Sequence, residues 1–101
     1  MINVYMKSIR GCEYDAKGFY KDGKLTVLKG SKIRIKKENN YKRNKFVDTV
    51  RNDKKYVDNG IVIKDIEFSS PSTAAQFVID QSINGKNFWR DENRKKLKDL
   101  I

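Results

Sequence analysis

The chain has no histidine, one cysteine and one proline. Without histidine it lacks the commonest general base and the commonest metal ligand. The lone Cys12 can close no internal disulfide, which fits a reducing cytoplasm, and it has no imidazole to activate it as a nucleophile. A structural zinc site, which needs several cysteine or histidine ligands, is excluded. One proline and six glycines rule out collagen-like and proline-rich classes. No apolar run approaches the roughly 18 residues that suggest a membrane span. Met1–Arg10 also lacks the unbroken apolar stretch of a secretory signal. The expected setting is the cytoplasm, with no membrane partner.

Charge is abundant. The 101 residues carry 23 lysines and arginines against 13 acids, a net charge of +10, and the pI is 9.8. Such a balance points to a polyanionic partner, nucleic acid first and an acidic protein second. Compositional bias toward Lys, Asn and Ile supplies the same total without a ligand, so position matters more than sum. An aromatic share of 11% argues against disorder. The length suits one domain over residues 1–101.

Periodicity organises the first third. Ile2, Val4 and Met6 alternate with Asn3, Tyr5 and Lys7, the pattern of a half-buried strand. Runs around Glu13–Tyr20 and Lys24–Lys29 flank Asp22-Gly23, a strong hairpin signal because a type I′ turn needs positive φ twice. Centred there, the turn pairs Tyr20 with Leu25 and Gly18 with Val27 on a core face, and leaves Lys17, Lys21 and Lys24 on the other. Lys32–Lys36 alternates again, predicting a strand with Ile33 and Ile35 inward and Lys32, Arg34 and Lys36 in an outer basic row.

The remainder predicts short elements. An incomplete apolar stripe (Phe46, Val47, Val50, Val57) predicts a helix over Asn44–Asp58, stopped by Asn59-Gly60. Ile61–Ile63 and Ile66–Phe68 are strand candidates. Ser70 caps a helix that begins at Pro71 and presents Ala74, Ala75, Val78 and Ile79. Ile83–Lys86 reads as a turn, Phe88 and Trp89 as core, and Asp91–Leu100 as a last helix. The fold class is α+β: a mainly antiparallel sheet of about four to six strands, with two or three helices packed on one side.

Catalytic patterns fail. Lys29-Gly30-Ser31 is not a P-loop, because Gly23 lies too far back and the lysine precedes the glycine. Asp65-x-Glu67 lacks the lysine of a nuclease-type D…E-x-K, since Ser69 holds that place, and Glu13 with Asp15 has no more support. No enzyme activity, cofactor, metal or small-molecule substrate is expected. The basic row Lys32, Arg34, Lys36, continued by Lys37, Lys42, Arg43 and Lys45, is the strongest electrostatic candidate, although solvated edge-strand lysines would look the same. Lys29 and Ser31 adjoin it, and Tyr41 adds an aromatic in a basic loop. Ser70 and Ser72, at a helix N-terminus, suit a phosphate or an ordinary cap.

Three ordered motifs carry a resemblance. Asp15-Ala16-Lys17-Gly18-Phe19-Tyr20 with Leu25–Ser31, then Phe68–Ala75, then Ser82-Ile83-Asn84-Gly85 with Trp89 and Leu97, resemble the DUF4357 family. The likeness runs from about Cys12 to Leu100, and the lysine- and asparagine-rich stretch Asn39–Asp65 departs from it. In its SPS-x-A and NG…W parts the family resembles the RAMA domain associated with restriction enzymes and adenine methyltransferases. The resemblance implies a small α+β accessory module of unassigned activity, of a kind found beside nuclease and other DNA-processing domains. DNA is therefore the expected partner. The alternative is a protein-interaction module acting as a detached accessory subunit of a nuclease or methyltransferase.

Overall fold

The computed structural model describes residues 1–8, 13–35, 43–81 and 83–101. Cys12, Lys36, Lys37, Tyr41, Lys42 and Ser82 lie outside the described residues.

The expected hairpin forms. Strands β2 (Asp15–Lys21) and β3 (Lys24–Val27) meet at Asp22-Gly23, whose φ values of 52° and 81° are those a type I′ turn demands. Tyr20 opposes Leu25 and Gly18 opposes Val27, as the alternation predicts. Strand β1 (Ile2–Lys7) adds antiparallel to β2, with Tyr5 opposite Lys17. After residues 45–62, covered below, β6 (Ile66–Phe68) pairs with β3 and completes a sheet of order β1-β2-β3-β6.

Period-two alternation sorts this sheet into two faces. Val4, Met6, Ala16, Leu25, Val27, Ile66 and Phe68 are buried on one of them. Helix α2 (Pro71–Ile79) lies against that face and contributes Ala74, Ala75, Phe77, Val78 and Ile79 to the core. Phe77 meets Phe68 with ring centroids 4.9 Å apart. Helix α1 (Lys45–Arg51) joins the same side, bringing Phe46 edge-on to Phe68 at 5.6 Å. The architecture is α+β, as expected.

Helix α1 is shorter than predicted. Asn44 caps it, and the helix stops at Arg51 because Asp53 organises a competing turn. The Asp53 side chain accepts from the Lys55 amide at 2.9 Å, and its carbonyl accepts from the Tyr56 and Val57 amides. Asn59-Gly60 therefore does not end a helix. With φ values of 51° and 76° it turns a two-stranded ribbon, β4 (Val57–Asp58) and β5 (Ile61–Val62). The left-handed tolerance read from these residues is real, but a hairpin uses it.

Over its described residues, 32–35, the strand expected at Lys32–Lys36 is reduced to isolated bridges at Lys32. Lys32 makes single bridges to Asp15 and Ile61, and Ile33 is buried. The Arg34 amide then turns away to the Val78 carbonyl at the end of α2 (2.8 Å), which leaves Ile35 73% exposed. The unpaired carbonyls of the last helical turn compete successfully for the segment's donors.

Chain termination departs from expectation too. Helix α3 is one turn (Gly85–Phe88) capped by Asn84. Trp89 follows, fully buried, its indole N–H donating to the Pro71 carbonyl at 3.1 Å. Its neighbour Phe88 points outward and is 41% exposed. In place of a helix over Asp91–Leu100 there is a tight turn. The Asp91 carboxylate accepts from the amides of Asn93 and Lys95, Arg94 takes φ 66°, and only Leu97–Asp99 forms a 3₁₀ turn. Arg90 is held instead by β1, where the Tyr5 amide donates to its carbonyl at 2.7 Å and its amide donates back at 3.1 Å.

Trp89 and Gly85 lock α3 to the start of α2. A Cβ on Gly85 would run into the Pro71 carbonyl, the same oxygen that accepts from Trp89. Gly85→Ala is therefore expected to lower stability by about 3 kcal/mol, read from the urea midpoint. A variant within about 0.5 kcal/mol of wild type would show that this contact is not tight.

Candidate functional site

Of the expected basic row, Lys36, Lys37 and Lys42 lie outside the described residues, and the fold engages Arg34 and Arg43. Asp80 ends α2 in the left-handed conformation (φ 61°) and is fully buried. Arg43 grips it with a two-pronged pair, Nε to Oδ1 and Nη2 to Oδ2, both at 2.9 Å, and reaches Asp48 at 3.0 Å. Arg51 approaches the same carboxylate at 3.5 Å and also donates to the carbonyls of Phe77 and Arg34. The hydrogen bond to Asp80 raises the Arg43 pKa above the ordinary arginine value. Because the folded-state pKa is raised, the stability it adds is complete at neutral pH and fades only in strong alkali.

Arg34 is engaged as well, with Nη1 donating to Gln81 Oε1 at 2.9 Å and Nε lying 3.7 Å from Glu13. Ser31 is buried, and its hydroxyl accepts from the Lys17 amide at 3.0 Å and donates to the Lys17 carbonyl. Ser70 Oγ accepts from the Thr73 amide, and Ser72 Oγ from the Gly85 amide at 3.0 Å. Ser70 thus caps α2, and Ser72 ties the first residue of α3 to it. Of the nominated residues that the structure describes, Lys29, Lys32 and Lys45 stand exposed. Lys29 and Lys32 flank the buried Ser31, whereas Lys45 begins α1 elsewhere.

A different cationic surface emerges on the sheet face opposite α2. Residues directly opposite one another across paired strands share a face. Bridges therefore align Lys96, Arg90, Tyr5 and Lys17 in one transverse row. A second row runs Lys7, Asp15, Lys32 and Ile61. Lys21 and Lys24 oppose each other at the hairpin end, and Phe19 sits beside Thr26 between these groups. Only Asp15 and Glu67 bring negative charge to these strand positions, and Glu67 pairs with Lys24 at 3.6 Å. Among the described residues, Lys7, Lys17, Lys21, Lys32, Arg90 and Lys96 form no ion pair. Periodicity had already placed Lys17, Lys21 and Lys24 outward. Arg90 precedes the helix predicted over Asp91–Leu100 and Lys96 lies within it, so neither carries a local signal of its strand-like pairing.

Two hollows border this face. A groove of about 930 Å³ opens along β1, lined by Tyr5, Lys7, Phe88, Arg90, Arg94 and Lys98 and also by the acids Asp91 and Glu92. A cleft of about 230 Å³ lies beside Phe19, Lys21, Lys24 and Thr26, with Asp22 and Glu67 in its lining. Each hollow thus combines an exposed or half-buried ring with several cations and two acids.

Asp80 carries the arginine scaffold on the other side of the molecule. Asp80→Ala would leave Arg51 buried without its carboxylate, so stability is expected to fall by about 3–5 kcal/mol. Denaturant unfolding checks this, and a loss below about 1 kcal/mol would mean that the pair behaves like a surface contact.

Among the described residues no helix is long and apolar enough to cross a membrane. No curated protein and no solved structure matches the chain. The model of a domain of unknown function (DUF4357) matches residues 5–101, from the middle of β1 through the terminal turn. That span takes in β2, β3, β6, α1, α2 and α3, and the chain belongs to the DUF4357 family.

Proposed function

We propose that the protein is a non-catalytic module that binds DNA through phosphate contacts from the open face of its sheet. One observation carries this reading. Cations of β1, β2 and the Arg90–Lys96 turn share the face that no described helix covers, and at its paired strand positions they outnumber the acids Asp15 and Glu67. A polyanion needs one-sided positive charge, because each neutralised phosphate releases condensed counterions. The surplus of +10 supports the same partner.

A second reading, docking onto a protein as a detached subunit of a nuclease or methyltransferase, is favoured by one patch. Ile35 lies over Gly60, and Ile61 and Ile63 are exposed beside it. Such apolar surface suits a protein partner better than DNA.

Fluorescence anisotropy with duplex DNA at rising salt separates the two. With about six phosphate contacts the log–log slope is expected near −5. Reversing Lys17, Arg90 and Lys96 to Glu should make that slope shallower by about three. Absence of binding at low salt, or binding indifferent to the triple reversal, would reject the DNA reading for this face.

A further inference from the structure

We infer that the DNA held by this face contains unpaired nucleotides, whose bases stack on Tyr5 and Phe19. The inference rests on the DNA reading above and deepens it.

Phosphate contact alone does not account for the rings. A duplex presents its backbone outward and hides its base faces, so it offers nothing to an aromatic side chain in the middle of a flat cationic surface. Tyr5 nevertheless sits inside the row Lys96, Arg90, Tyr5, Lys17 and is 41% exposed. Phe19, half-buried, lies two residues beyond Lys17 on the neighbouring strand and is therefore the diagonal neighbour of Tyr5. Diagonal pairs of this kind are separated by about 7–8 Å. Two rings standing side by side on one sheet face offer neighbouring surfaces for stacking. Bases reach such rings only when they are unpaired, as in a single strand. An open antiparallel sheet with aromatics on its exposed face is a recurrent platform for unpaired bases.

The surroundings supply the matching phosphate contacts. Lys17 stands beside Tyr5, and Lys21 and Lys24 stand beside Phe19 around the 230 Å³ cleft. The 930 Å³ groove at the β1 edge continues the path past Arg90 to the exposed ring of Phe88. A strand crossing β2 and β1 thus meets Phe19, Lys17, Tyr5 and Arg90 on one face. Stacking tolerates any base, so the expected preference is for single-strandedness and not for sequence.

The test compares labelled oligothymidylate, which forms no duplex, with a blunt duplex of equal phosphate number. Wild-type protein is expected to bind the single strand more tightly. Tyr5→Ala should weaken single-strand binding about tenfold to a hundredfold and change duplex binding less than about twofold. Tyr5→Phe, which keeps the ring, should restore it. Phe19→Leu should act in the same direction. If that half-buried site fails a thermal-unfolding check, the exposed Tyr5 pair carries the result by itself. Equal affinity for both DNAs together with an unaffected Tyr5→Ala variant would overturn stacking and leave the phosphate-binding face standing. Failure of both DNAs to bind at low salt would overturn the DNA reading as well.

Discussion

A carboxylate removed from water is costly unless cations and donors replace its hydration, and Asp80 is removed completely. Its position is set by α2, whose last turn exposes carbonyls that also need partners. Arg43, Arg51 and the Arg34 amide meet both demands together. Three chain segments distant in sequence are thereby fastened to one helix end. The helix macrodipole favours this arrangement, since its negative end attracts cations. The remaining layout depends on this fastening, because it fixes α1 beside α2 and both on the inner face of the sheet.

With both helices on that side, the other side of the sheet stays open. Among the described residues, the cations at the end of α2 differ in kind from those on the open face of the sheet. Arginines 34, 43 and 51 face inward at the end of α2, where planar guanidinium groups match carboxylate and carbonyl geometry. Lysines dominate the outer face, where a flexible stem and a strongly hydrated head suit solvent and phosphate. Buried arginine and exposed lysine have different tasks here, and a count of +10 does not distinguish them.

Much of the sheet was legible from residue order. The alternation in β1 and the Asp22-Gly23 turn predict both strand faces and the hairpin register, because period two and positive φ are local properties. Ser70-Pro71 likewise marks the start of α2. Failures cluster where an aspartate side chain competes with the helix for backbone amides. Asp53 shortens α1, and Asp91 replaces a predicted helix with a turn. The strand predicted at Lys32–Lys36 is absent from its described residues, 32–35, for another reason. Alternation there was genuine, but α2 offered the Arg34 amide a better acceptor than a strand could.

Residue order by itself therefore determined that cations would outnumber acids, that a hairpin would form, and which lysines of β2 and β3 would face away from the core. Tertiary structure alone decided which cations are spent internally and which assemble. Lys96 and Arg90 reach Tyr5 only because the end of the chain pairs with the free edge of its first strand. Asp80 claims Arg43 only because a helix carries it into the interior. Such contacts join residues tens of positions apart, and local propensity holds no information about them, since burial and pairing are set by the whole packed chain.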